Sequence, residues 1–373
     1  MSDVDYYEEV RQKLKIGEGL GTPKHKSVME FLRMIWNEEE IQLLNNFEKV
    51  GETYSVAKIA KKSGMDKNKV REMLNSLADR GTIIKVSNQF GILPLAPGML
   101  ELYYLKCGDS KENLVKGAKI LREVMNTVLP PMFFLTDTPI LRPKLPYDIE
   151  ERKIIEINQE IKNESQVLPS DLASELVKRN EIFVRLPCQC RVIGEMAGEP
   201  CELTHSSENG CLACGVVAET LTNMGIGEKI SKEEAIKHIR EAEKKGLVHN
   251  GANSRGFEAY SLICNCCSCH CAMLSPMKKH QTPGIQKSNY RPKINAEICI
   301  LCDICVKKCP MEAIYHRYPM KSDNSDEKIV VFDNKCIGCG VCAANCNKSA
   351  IIMEKVIKKE APESMPFDVN IFG

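Results

Sequence analysis

Of the 19 cysteines in this chain of 373 residues, only Cys107 precedes Cys188. Two stretches repeat one spacing: Cys299-x2-Cys302-x2-Cys305-x3-Cys309, followed by Pro310, and Cys336-x2-Cys339-x2-Cys342-x3-Cys346, followed by Asn347. Each iron of a cubane needs a thiolate, and cysteines at i, i+3 and i+6 on a tight loop can wrap three irons while a fourth thiolate comes from elsewhere. Zinc also uses C-x2-C pairs. Tandem copies of the whole four-cysteine run favour two [4Fe–4S] clusters over two zinc sites. An Ala-Ile pair follows each run at the same offset, at 313–314 and 350–351, so the segment is an internal repeat split by a polar insertion over 318–328.

Ten further cysteines fall in two groups: Cys188, Cys190, Cys201, Cys211 and Cys214, then Cys264, Cys266, Cys267, Cys269 and Cys271 around His270. Five cysteines in the eight residues 264–271 rarely meet disulfide geometry without strain. Metal or cluster ligation is the natural reading. Ten thiolates can hold two more cubanes, one cubane plus a zinc site, or one larger cluster; the plainer alternative is a single structural zinc or cubane with the other cysteines packing. One or two further iron–sulfur clusters are therefore expected, with individual ligands open. Adjacent Cys266 and Cys267 point in different directions, so they can serve one cluster or two sites. His205, His249 and His270 lie close by, and only His270 has thiols on both sides. Arg191, next to Cys190, is a candidate hydrogen-bond donor to cluster sulfur.

The two runs closely resemble bacterial-type two-cluster ferredoxins. The resemblance implies crossed fourth ligands: Cys299, Cys302, Cys305 and Cys346 on one [4Fe–4S] cluster, and Cys336, Cys339, Cys342 and Cys309 on the other. It also implies a small βαββαβ fold. Asn347 departs from the family, which usually has proline there. The central pieces LPCQCR (186–191), GLVHN (246–250) and ICNCC (263–267) resemble uncharacterised ferredoxin-like proteins of anaerobes, which bring no defined reaction.

The rest of the chain must position these thiols. Charge is balanced, 51 basic against 50 acidic residues, so any nucleic-acid role needs a local patch. The polar N-terminus reads as lacking a signal peptide, and no stretch reaches 18 consecutive apolar residues. Many cysteines in such a chain predict metal or redox chemistry in the cytoplasm of an oxygen-poor cell. The expected fold class is α+β and multidomain. A helical, winged helix-like domain fills 1–128, a cysteine-rich α/β domain 147–283, the ferredoxin fold 294–357, and a tail 358–373. A Pro-rich linker, 129–146, separates the first two.

Within 28–98, helical periodicity over 35–47, a helix over 55–63 stopped at Gly64, and a third capped by Asp66 precede a hairpin with Ser87 and Asn88 at its tip. Three helices and a hairpin resemble the winged helix-turn-helix family. Lys67, Asn68, Lys69 and Arg71 would then lead the recognition helix; docking of a protein is favoured over DNA. In the central region a helix is expected from Ser170 to Arg179, a strand over 182–186, and a helix from the Ser231–Glu234 capping box to Gly246. A polar link over 276–293 leads into the ferredoxin repeat.

These readings predict an electron-transfer protein or subunit, its clusters exchanging single electrons with a partner oxidoreductase or flavoprotein complex. A redox-responsive DNA-binding regulator and a catalytic central cluster are the alternatives. No dinucleotide fingerprint, phosphate loop or C-x3-C-x2-C run is present, so no bound nucleotide is implied.

Overall fold

The computed structural model describes residues 4–16, 20–135, 139–149, 171–319, 327–357 and 359–363. The N-terminal part runs α1 (Tyr6–Lys13), β1 (Lys15–Ile16), β2 (Leu20–Gly21), α2 (Lys26–Ile35), α3 (Glu38–Leu44), β3 (Tyr54–Ser55), α4 (Val56–Ser63), α5 (Lys67–Asp79), β4 (Ile84–Val86), β5 (Gln89–Gly91), α6 (Leu100–Lys106) and α7 (Lys111–Glu123). The helix expected over 35–47 is interrupted. The Asn37 side chain takes the Glu40 amide while Glu40 reaches back to Asn37, and this capping box starts α3 afresh. Gly64, at φ +70°, ends α4, and Asp66 accepts from the amides of Asn68 and Lys69 to start α5. The apolar spacing of α5 buries Val70, Leu74 and Leu77. Strands β3, β5 and β4 form a small sheet in that order, with Ser87 at φ +54° in the turn.

The central part is built on β6 (Leu141–Pro143), β7 (Phe183–Arg185), β8 (Leu212–Cys214), β9 (Glu228–Ile230), β10 (Val248–Ala252) and β11 (Leu262–Cys266). They form one sheet in the order β6-β10-β11-β8-β7-β9, each neighbouring pair antiparallel. Residues 141–143, read as linker, are thus an edge strand of this sheet. The helix expected from Ser170 spans Ala173–Lys178, and Ser170 itself lies outside the described residues. The helix Lys232–Lys245 carries both halves of its capping box and stops at Gly246, φ +83°.

The N-terminal part does not keep a core to itself. Phe31, Trp36 and Tyr103 belong to the same buried apolar cluster as Val192, Ile193 and Leu221. Helix Gln189–Met196 lies against α6 and α7, and Arg122 of α7 reaches Glu199 at 2.8 Å. No helix among the described residues is long and apolar enough to cross a membrane.

The C-terminal part runs β12 (Tyr290–Ile294), helix Ile304–Lys308, β13 (Ile314–Arg317), β14 (Lys328–Val331), helix Val341–Ala344 and β15 (Ile351–Lys355). Strand β12 pairs with β15 and β13 with β14, both antiparallel. The polar insertion between the copies falls partly, and the tail mostly, outside the described residues.

Candidate metal centres

The two cysteine runs fold alike, residue for residue. Leu301 and Asp303 take φ of +54° and +61° around Cys302, and Gly338 and Gly340 take +70° and +76° around Cys339. Left-handed residues on both sides of the middle cysteine curl the loop so that its thiols face inward. The same equivalence extends to the position of the repeated alanine. The Ala313 amide donates to Cys309 Sγ at 3.2 Å and the Ala350 amide to Cys346 Sγ at 3.3 Å. Glu312 and Ser349, at φ +50° and +52°, turn the chain to make those bonds. Amide donors to thiolate sulfur stabilise its charge and tune the potential of a bound cluster.

Cys309 lines one cavity with Cys336, Cys339 and Cys342, its floor closed by Met311, Ile337 and Met353. Cys299, Cys305 and Cys346 share another packed cluster, which Cys309 and Cys342 also join. The cavity brings Cys309 beside the first three cysteines of the second run. Burial pushes the Cys305 thiol up to about 11 and raises Cys336, Cys339 and Cys342 as well. Thiols this buried stay protonated on their own, and ligation replaces the proton with a metal. Such a donor set fits [4Fe–4S] clusters. The Cys299 end is open, with Cys302 exposed and flanked by exposed Ile298 and Ile300, whereas Cys336, Cys339 and Cys342 are buried.

The ten central cysteines separate into three environments. Strand pairing joins the two sequence groups: β8 runs antiparallel to β11 with Leu212 opposite Ile263. Cys264 therefore meets Cys211, Sγ to Sγ 3.6 Å. The pleat puts Cys264 and Cys266 on one face of β11. Thiol neighbours then run from Cys188 to Cys190, Cys271, Cys266, Cys264 and Cys211. In Cys188, Cys264 and Cys266 the adjacent thiol first, and burial next, raise the pKa. The amide of Asn250, from GLVHN, is fully buried beside Cys266.

A second environment holds Cys201, Cys267, Cys269 and His270, whose ligand atoms all lie within 4.8 Å of one another. Cys201 and Cys269 sulfurs are 3.6 Å apart. The nearby Cys267 and Cys269 thiols and then the His270 ring push the Cys201 thiol down. The third environment is Cys214 alone, packed among Phe183, Leu212 and Ile263 with its thiol raised by burial. It joins neither group of thiols.

The remaining polar candidates resolve by their partners. His249 is satisfied, Nδ1 to Asn265 Oδ1 at 2.7 Å and Nε2 to Glu243 Oε1 at 3.1 Å. His205 is exposed at φ +53°. Cys107 ends α6, its thiol donating to the Tyr104 carbonyl. Arg191, fully buried, donates to Thr204 Oγ1 at 2.8 Å and to the Asn209 carbonyl at 2.9 Å, while its charge faces Cys188, Cys267 and Cys201. Gly194 escaped the sequence reading: a Cβ there would run into the His270 ring. The approach of helix Gln189–Met196 to the cysteine run carries no signal in one sequence.

The 4Fe-4S dicluster domain family matches residues 291–354. An uncharacterized ferredoxin of Methanocaldococcus jannaschii is 30% identical over 92 residues, 24% of this chain and 51% of that protein, so the chain spans about half the length of that relative. Pyruvate synthase subunit PorD of Methanothermobacter marburgensis is 32% identical over 80 residues, 20% of this chain and 85% of that subunit. No solved structure matches the chain. With the paired loops, the shared cavity and these likenesses in hand, the chain belongs, through its C-terminal module, to the ferredoxin-type 4Fe–4S dicluster family.

Proposed function

We propose that this protein is an electron-transfer component that passes single electrons between a partner oxidoreductase and an interior iron–sulfur site. Two [4Fe–4S] clusters sit in the C-terminal module, ligated crosswise as the cavity around Cys309 suggests. A further cluster is held by thiols drawn from Cys188, Cys190, Cys211, Cys264, Cys266 and Cys271. The observation that carries this reading is a single packed core: Cys336 and Cys339 share it with Cys266 and Cys271, bridged by Val248, Leu274, Met311 and Ile337. Electrons then enter at the open Cys299 end, step to the Cys336 cluster, and reach the centre through side chains in contact. This route runs through packed side chains and does not need to follow the 276–293 segment.

The partner is read as an oxidoreductase that this protein joins as a subunit, as the similar PorD is by name a subunit of pyruvate synthase. Residues 28–98 are proposed as a winged helix-like domain that docks protein. Part of its positive charge is paired internally: Lys69 with Glu39, Lys62 with Glu48 at 2.6 Å, and Arg80 with Glu40. A redox-responsive regulator would need that charge free for phosphates, and a catalytic centre would need an open ligand position.

Iron and acid-labile sulfide per chain, measured on protein purified without oxygen, test the reading. Two cubanes give about eight of each, and a loaded centre about twelve or more. Iron that stays at about eight, with no third component in an EPR redox titration, would remove the interior site and with it this function.

A further inference from the structure

We propose that Cys201, Cys267, Cys269 and His270 form a closed tetrahedral site for one zinc ion, separate from the iron–sulfur site beside it. Compactness comes first. Zinc binds thiolates at about 2.3 Å, so two thiolates of a tetrahedron stand about 3.8 Å apart. The Cys201 and Cys269 sulfurs are 3.6 Å apart, and all four donors fall within 4.8 Å of one another. Cubane thiolates each take a different iron and stand around a cube, farther from one another. Among the described residues, no three thiols of the ferredoxin runs or of the six linked central cysteines all fall within that distance of one another, although Cys211 and Cys264 stand 3.6 Å apart as a pair.

The imidazole is the second observation. His270 is 4% exposed, and neither ring nitrogen has a hydrogen-bond partner among the described residues. A buried imidazole without partners costs free energy that a metal bond recovers. Its pocket exists because residue 194 is glycine: the His270 Nε2 lies 2.5 Å from where a Cβ would stand.

Charge gives the third. Three thiolates and a neutral imidazole around Zn²⁺ carry a net single negative charge. Arg191 is fully buried, donates to Thr204 and Asn209, and its charge faces Cys188 first and then Cys267 and Cys201. The zinc–thiolate group would share with Cys188 the role of counter-ion to this buried guanidinium. The His270 amide also donates to Cys267 Sγ at 3.4 Å, as donors around a ligating thiolate do.

The boundary between the two sites is the Cys266-Cys267 peptide. Cys266 obeys the pleat of β11 and joins Cys264, and Cys267 lies one residue past the strand and turns to Cys201. With four protein ligands and no open position, the site is structural. It pins the loop after helix Gln189–Met196, whose first turn carries Cys190, onto the cysteine run. The proposal does not depend on the interior cluster being loaded.

The test uses the full chain, purified without oxygen from cells supplied with both metals and assayed for zinc and iron by mass spectrometry. One zinc per chain is expected. Cys269→Ser and His270→Ala should drop it from about one to a trace, with iron per chain and the ferredoxin EPR signals unchanged. Cys264→Ser should lower iron and leave zinc in place. Cobalt added to zinc-stripped protein should give the visible absorption of a tetrahedral thiolate site, absent in His270→Ala. If His270→Ala fails to fold, His270→Cys keeps four ligands and must retain zinc. Zinc missing from the wild type, mononuclear iron in its place, or iron lost in Cys269→Ser would each overturn the assignment.

Discussion

Alanine at position 194 should behave opposite to its helix propensity. Gly194 lies inside the helix Gln189–Met196, where Gly→Ala ordinarily stabilises by about 1 kcal/mol. Here the new Cβ would stand 2.5 Å from His270 Nε2 and 2.9 Å from the Glu199 carbonyl oxygen. Ordinary contact needs about 3.5 Å and the ring's Cδ2 lies closer still, so the imidazole must retreat by more than about 1 Å. The carbonyl cannot follow freely, because Glu199 closes the helix end through its amide to the Gly194 carbonyl at 2.8 Å. Overpacking of this kind costs about 1–3 kcal/mol, enough to cancel the propensity gain. The metal is less forgiving still, since ligand distances hold to within about 0.2 Å. Gly194→Ala should therefore lose most of its zinc and unfold at lower temperature, with the ferredoxin EPR signals intact. Zinc per chain and anaerobic thermal melts read both effects. A variant that keeps full zinc and melts higher would show that the His270 ring is not held where the argument needs it.

Cys309→Ser should damage the cluster at Cys336, Cys339 and Cys342 and spare its sequence neighbour; EPR of the reduced variant showing loss of the Cys299 cluster would defeat the crossed assignment. Cys214→Ala, in an apolar environment, should leave iron and zinc per chain unchanged and cost stability by roughly 1 kcal/mol, as read by urea midpoints. Burial lowers His238 to about 4, below an unfolded value of about 6.5. The unfolded chain then binds the proton first, so stability is full above about pH 6.5 and falls as pH drops toward 4, by about 2 kcal/mol at pH 5; His238→Gln should flatten that slope in anaerobic urea titrations. Duplex DNA should bind weakly and let go as salt rises, and a nanomolar specific site at physiological salt would restore the regulator reading.

The ferredoxin module was legible because ligand spacing there is local. One loop supplies three thiolates, and the repeat supplies its own control. Helix caps at Ser231, Asp66 and Gly64 were legible for the same reason, each being set within four residues. The division of the central thiols was not. It depends on the pairing of β8 with β11, on where that strand's pleat ends between Cys266 and Cys267, and on a missing Cβ at Gly194. All three are contacts between residues far apart in sequence. Cys214 shows the opposite error: two residues from Leu212 in β8, it shares a spacing with Cys211 that suggests a ligand pair, yet the strand directs it into an apolar core. The periodicity over 35–47 misled at Asn37, where a side chain's capping bonds outweighed the apolar stripe.

The core that N-terminal helices share with the central thiols has a thermodynamic consequence. Cys211 is buried in the same cluster as Phe31 and Tyr103, and Cys190 and Cys264 pack against it. A ligand that binds only the folded form stabilises everything that unfolds with its site, in proportion to the logarithm of its saturation. The helices before residue 128 contribute no thiolate to these sites, yet they melt with the fold that supplies them. Oxygen that strips the centre should then be felt as a softening of α6 and α7, distant in sequence from any sulfur it touched.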